Sequence, residues 1–262
     1  MLILTVFLMF LVSIVLSGVG LGGGAFYVPL LVALGYPFHV ASSTSLFLIM
    51  VTGFSAFTRF RLAGYVDWQL AVAMDTFTDL GALVGGLTAF HYKAKTLKAA
   101  FALILMLAAA IMTTTRGRSR RAAPMRGFAV WHRRFGEYEY AVNILIAAPA
   151  TFAIGYASGA LGVAGGLLKI PLMVLVFGVP QRIAVATSSL MVGLTGLFGF
   201  VGHGVTGVVD WPLALSLAVV VMIGGQIGSR LSIRVSEQAL KRWTAVAFVG
   251  IALWMLGQAV VR

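Results

Sequence analysis

The stretch SGVGLGGGAFYVPLLV, Ser17 to Val32, decides how this chain is read. It contains Gly18-x-Gly20-x-x-Gly23, a spacing that elsewhere cradles a dinucleotide pyrophosphate. That use requires a strand before the glycines, a helix after them inside a βαβ unit, and an acidic residue about 20 residues further on. The upstream run MLILTVFLMFLVSIVL is uncharged, with Thr5 and Ser13 as its only polar side chains. Downstream, at the distance where the acid belongs, the chain reads ASSTSL. The glycines are doing something else.

Composition says where. Of 262 residues, 60% are hydrophobic and 10% charged, whereas soluble domains are about 25% charged. This is the composition of a polytopic membrane protein. The N-terminal run lacks the positive leader of a signal peptide and is read as part of the fold. Cysteine is absent, which removes disulfides and thiolate metal sites together. The net charge of +12 comes from 19 Lys and Arg against 7 Asp and Glu. Most of these charges lie between apolar segments, where they set orientation and meet anionic lipid rather than nucleic acid.

The apolar segments come in two sets. The first comprises 2–16, 25–34, 40–58, 68–90 and 97–115; the second comprises 140–154, 167–177, 183–201, 211–233 and 240–259. Between them lies an arginine-rich linker, residues 116–139. Segments of about 20 residues span a bilayer core, and shorter ones must pack inside protein or pair as half-helices. The second set copies the first. Gly20, Gly23, Gly24 and Pro29 match Gly162, Gly165, Gly166 and Pro171 at an offset of 142. At an offset of 143, Ala41, Thr44, Ser45, Thr52 and Gly53 match Ala184, Thr187, Ser188, Thr195 and Gly196. GYVDWQLA (64–71) matches GVVDWPLA (207–214), and Gly81 and Gly85 match Gly224 and Gly228. Duplication with so long a period predicts two half-domains, residues 1–115 and 140–262, around one site.

In both copies the glycines separate two short apolar pieces, and a proline follows. A helix broken there turns its free N–H groups into protein and offers a positive partial charge to an anion. The competing use of the same glycines is close helix packing.

The segments GLGGGAFYVPLL (20–31) and GALGVAGGLLKIPLM (159–173), the Ala-x-x-Thr-Ser element of each half, and the duplicated Gly-x-Val-Asp-Trp loop resemble the TauE/SafE family of integral membrane proteins. The resemblance covers nearly the whole chain. It implies a duplicated permease of about eight membrane passes for sulfite, sulfonates such as sulfoacetate, or other small organic anions, and it favours export. The second copy carries Lys169 where the first carries Tyr27, so the two halves cannot present equivalent surfaces.

The fold expected is therefore an all-α polytopic membrane protein of 8 to 10 segments, with two homologous halves and glycine-broken helices. An odd number of crossings per half would put Arg59, Arg61, the linker and the Arg230–Arg242 turn on one face, gathering thirteen of the nineteen basic residues there. The positive-inside rule makes that face cytoplasmic and the halves inverted; a single bent pass at each break would instead make them parallel. The expected location is the cell's inner (plasma) membrane.

Thr44, Ser45, Thr187 and Ser188 are the duplicated polar pairs, suited to donating to an oxyanion or to bonding between helices. With the N–H groups of Gly23, Gly24, Gly165 and Gly166, and with Lys169, they form the expected substrate site. Lys169, embedded in GGLLKIPLM, needs either a bound anion or a carboxylate partner. Asp75 and Asp79, at i and i+4, face one side of a helix and are candidates for proton coupling, for pairing with a base or for lining a wet cavity. Their repeat positions hold Ala218 and Met222, so this feature belongs to one half. His39 and Arg182, at segment starts, are interfacial groups or a funnel for an anion. Asp67-Trp68 and Asp210-Trp211 read as a helix cap beside an interfacial anchor.

The expected function is secondary transport of a small anion by alternating access, with no cofactor, metal or nucleic acid. A channel and an intramembrane enzyme are the rivals; the enzyme has no motif to support it. Oligomeric state, coupling ion and exact substrate are not encoded legibly.

Overall fold

In the computed structural model the described residues are 2–93, 128–163, 165–204 and 209–236, with isolated positions 96, 103, 238, 239, 242, 243 and 246. Apart from those isolated positions, the expected segments at 97–115 and 240–259, and all of linker residues 116–127, lie outside this set. Eight α-helices occur among the described residues: α1 (Leu2–Gly18), α2 (Gly24–Ala33), α3 (Phe38–Leu62), α4 (Trp68–Thr88), α5 (Ile144–Leu161), α6 (Gly166–Pro171), α7 (Gln181–Gly204) and α8 (Trp211–Arg234). Among the described residues, five stretches are long and apolar enough to cross a membrane: Phe38–Leu62, Trp68–His91, Ile144–Leu161, Gln181–Gly204 and Trp211–Arg234.

Both glycine clusters do break a helix. α1 stops at Gly18 and α2 starts at Gly24; α5 stops at Leu161 and α6 starts at Gly166. Gly20 and Gly162 have φ of +78° and +72°, a left-handed conformation that L side chains resist. Neither has room for one: a Cβ on Gly20 would lie 2.7 Å from the Val185 carbonyl, and one on Gly162 would lie 2.6 Å from Ser42 Cα. Val185 and Ser42 are themselves repeat counterparts. Each break is thus seated against the first turns of the other half's long helix. Pro171 closes α6, and the chain continues as a single π-type stretch, Leu172–Val176, the usual accommodation of a ring that cannot donate to the ladder.

The halves interleave. α4 packs on α5 and α7, α8 packs on α1 and α3, and α3 packs on α7. Small residues bring the backbones together. Gly155 and Gly159 of α5 abut Thr78 and Ala82 of α4, while Gly224 and Gly228 of α8 abut Ser13 and Ser17 of α1. Numbers rise together in both pairs, so each runs parallel. In the central pair the order reverses: Gly53 meets Gly193, and Gly196 meets Leu46 and Met50. α3 and α7, the same helix of the repeat, therefore run antiparallel. A Cβ on Gly53 would sit 2.6 Å from the Gly193 nitrogen. Gly53→Ala is expected to cost about 1–3 kcal/mol through overpacking, read as a lower thermal midpoint in detergent; an unchanged midpoint would mean this contact is not tight.

One element departs from the all-helical expectation. The end of the linker forms a hairpin, β1 (Val130–Phe135) with β2 (Tyr138–Asn143), crossing the expected 139/140 boundary before α5 begins at Ile144. Its two-residue turn is Gly136-Glu137, with Gly136 at φ +59° as a tight hairpin requires at its first position.

Candidate functional site

The polar interior is centred on Lys169. Its Nζ donates to Asp75 Oδ1 at 2.6 Å and to Thr195 Oγ1 at 2.8 Å, and the lysine is 0% exposed. Thr195 Oγ1 also lies 3.5 Å from Asp75 Oδ1 and 3.4 Å from Asp79 Oδ1, so the i, i+4 carboxylates of α4 share one hydroxyl on α7. Asp75 Oδ2 is buried and has no hydrogen-bond partner among the described residues. The lysine thus has a carboxylate partner, one of the two solutions expected for it. At the same repeat position in the first half stands a neutral version: Tyr27 Oη and Thr52 Oγ1 are 3.1 Å apart.

The serines of the duplicated pairs are latches. Ser45 Oγ donates to the Gly162 carbonyl at 2.7 Å, and Ser188 Oγ donates to the Gly20 carbonyl at 3.0 Å. Each fixes the opposite half's break, satisfying a carbonyl that the broken helix leaves unpaired. The threonines differ. Thr187 Oγ1 accepts from the Asp67 backbone N–H at 3.0 Å, whereas Thr44 Oγ1 is buried and unpartnered among the described residues. Gly23 precedes α2 at φ +84° and lies against the Tyr27 ring. Gly24 opens α2. Gly165 lies against the Lys169 stem, and Gly166 against Ser188 and the Gly20 carbonyl, so the two breaks meet.

His39 and Arg182 are not brought to Lys169. The His39 ring stacks on Phe90, with centroids 5.0 Å apart, and Phe90 in turn meets His203 edge-on. Arg182 donates to the Val235 carbonyl at 2.6 Å and to Tyr65 Oη at 3.3 Å, tying the start of α7 to the end of α8. No group of three or more His, Cys, Asp or Glu able to hold a metal occurs among the described residues.

A second constellation was not anticipated. Asp67 caps α4 through Gln69 N and Leu70 N, as expected, but its carboxylate is also gripped by the hairpin. Arg133 Nε and Nη2 donate to its two oxygens at 2.9 Å each, and Tyr140 Oη, cross-strand neighbour of Arg133, donates to Oδ2. The linker's Arg133, read as an orientation charge, is a specific ligand. The alternation in VWHRRF and YEYAVN around Gly-Glu is the sequence signal for that hairpin. Asp210, the repeat counterpart, caps α8 through Leu213 N.

Burial pushes the Asp67 carboxyl up, but the hydrogen bonds from Arg133, Tyr140 and Leu70 outweigh it and hold the group below its ordinary value. A depressed carboxyl contributes stability above its unfolded value, about 3.9, and loses it as pH falls through the folded one. The stability gap between wild type and Arg133→Gln is therefore expected to be full at neutral pH and to close below about pH 4. A gap that stays constant with pH would show that the clamp is not ionic.

The Sulfite exporter TauE/SafE family matches residues 5–255. The chain belongs to that family. Among relatives, a probable membrane transporter protein of Bacillus subtilis, YunE, is 27% identical over 251 residues, covering 92% of this chain and 90% of that one. A probable membrane transporter protein of Xylella fastidiosa (strain Temecula1) is 26% identical, covering 94% and 91%. YdhB of Bacillus subtilis, also a probable membrane transporter protein, is 26% identical, covering 91% and 93%. No solved structure matches. This TauE/SafE protein is a multi-pass membrane protein of a transporter family, with five described spans.

Proposed function

We propose that this protein is a secondary transporter of small anions, working by alternating access between two inverted halves. The observation that carries the reading is a buried ammonium, Lys169, placed where two broken helices meet. An ionisable group at that depth is costly without a use, and broken helices at a repeat interface are where such transporters hold substrate. Thr44, whose buried hydroxyl has no partner among the described residues, and the N–H groups at Gly23, Gly24, Gly165 and Gly166 complete the site, with Asp75 and Asp79 as the proton-coupling groups. Ser45, Thr187 and Ser188 line it while holding the breaks and the α4 start.

The antiparallel run of α3 against α7 supports inversion, because repeat-equivalent helices then point oppositely. Charge supports the orientation. Arg182 joins Tyr65 to Val235, and Arg133 reaches Asp67, so the ends of α3 and α8 and the starts of α4, α5 and α7 share one basic face. That face is cytoplasmic. Its arginines meet anionic lipid. The cargo class is a sulfur oxyanion or organosulfonate, such as sulfite or sulfoacetate, moved outward across the cell's inner (plasma) membrane. Counterflow in proteoliposomes with sulfite, sulfoacetate, taurine, sulfate, acetate and lactate tests it. Saturable exchange of a sulfur anion ahead of the carboxylates is expected; no saturable exchange of any anion would overturn the reading.

A further inference from the structure

Resting on the transport reading, we infer that Asp75 and a monovalent anion alternate as the counter-ion of Lys169, so that each anion crosses with one proton and no net charge. Lys169, Asp75 and Asp79 are 0%, 2% and 8% exposed, so their charges must balance among themselves. One ammonium and two ionised carboxylates leave a net negative charge; one proton held by the carboxylates removes it. The ammonium bonds Asp75 Oδ1 directly, whereas Asp79 bonds the Thr195 hydroxyl and, among the described residues, no cation, so the resting proton sits on Asp79.

An anion gains Lys169 only when Asp75 gives it up. A second proton, from hydronium on the side to which the site opens, forms an O–H bond at Asp75 Oδ2, the oxygen with no partner among the described residues. The ammonium's hydrogen bond then passes from Asp75 Oδ1 to an anion oxygen, and the loaded site is neutral. On the far side the anion leaves, the proton returns to water, and the Lys169 to Asp75 pair re-forms. Thr195 accepts from the ammonium at 2.8 Å, which leaves its own proton free to turn toward either carboxylate; it is a positioning residue.

Among the described residues, other titratable groups on the surrounding elements are engaged elsewhere, and the His39 ring of α3 stacks on Phe90. Arg182 bonds Tyr65 and Val235, His203 bonds Ser43 and Gly159, Tyr156 bonds Thr88 and Tyr92, and Tyr27 bonds Thr52. The first repeat offers no second cation, since Tyr27 stands at the Lys169 position. One positive charge suits hydrogen sulfite or a singly charged sulfonate. Sulfate and fully ionised sulfoacetate, with two charges, leave one uncompensated, so within the cargo class proposed above the singly charged members are favoured.

The test uses proteoliposomes of the full chain with hydrogen sulfite, methanesulfonate, sulfoacetate and sulfate, under a pH gradient or a potassium–valinomycin potential. The monovalent anions should exchange at least about tenfold faster, as an uncompensated buried charge demands. Their accumulation should follow the pH gradient and ignore the potential. Asp75→Asn should abolish proton-driven accumulation and flatten the pH dependence of exchange; Thr195→Val should flatten it in part, and Thr195→Ser should restore it. Accumulation driven by the potential and indifferent to pH, or an Asp75→Asn protein with the wild-type pH profile, would overturn the inference. If Asp75→Asn does not fold, the wild-type comparison of pH gradient with potential decides alone. Absence of exchange for every anion would instead overturn the transport reading itself.

Discussion

Lys169→Met is expected to destabilise the folded protein by about 3–5 kcal/mol, the cost of removing one partner from a buried ion pair, and to abolish anion exchange. Methionine replaces the lysine stem, so packing against Gly165 changes little and the loss is electrostatic. Asp75, 2% exposed, then keeps the Thr195 hydroxyl as its side-chain partner among the described residues, beside a second buried carboxyl. The double variant Lys169→Met with Asp75→Asn should recover most of the stability, because removing both charges of a buried pair is close to neutral. It should not recover transport, since no cation is left for the anion. Thermal unfolding in detergent and counterflow in proteoliposomes give the two readings. A double variant that transports would reduce Lys169 to a structural counter-ion and place the anion elsewhere.

Asp67→Ala is expected to cost far more than Asp210→Ala, although the sequence presents them as the same residue in two copies. Asp210→Ala removes a helix cap, worth about 0.5–2 kcal/mol. Asp67→Ala removes the same cap together with the hydrogen bonds from Arg133 and Tyr140, each charge-assisted bond adding about 1.5–3 kcal/mol. A total of about 2–5 kcal/mol is expected, given that such terms do not add fully. Arg133 would be freed and Tyr140 left buried without its acceptor. Thermal midpoints of the two single variants, measured side by side, check the asymmetry. Equal losses would mean that the hairpin contributes nothing to holding α4.

Much of the candidate site was legible because its elements are local. Gly20 and Gly162, each followed by a proline, mark a break that any reading of backbone freedom finds, and Asp75 and Asp79 at i and i+4 mark one helix face. Thr195 was visible as the copy of Thr52 yet carried no sign of its use, because a threonine inside an apolar helix normally back-bonds to its own turn, as Thr52 does to Leu48. Arg133 was hidden by its neighbours: in a run of arginines no single one announces a partner. Ser45 and Ser188, expected as substrate ligands, also serve as latches, a hydroxyl being equally able to bond an anion or a carbonyl.

Composition, hydropathy and the internal register by themselves determined a duplicated, glycine-broken membrane protein whose buried charges, Lys169, Asp75 and Asp79, have no charged repeat counterpart, because each depends only on residues close in sequence or on comparing one half with the other. The tertiary structure alone decided which groups meet. Lys169 finds Asp75 across 94 positions, Ser45 finds Gly162 across 117, and Arg133 finds Asp67 across 66. Helical periodicity fixes the side of a helix on which a residue stands, but the partner on that side is set by how the small-residue faces of the two halves interlock.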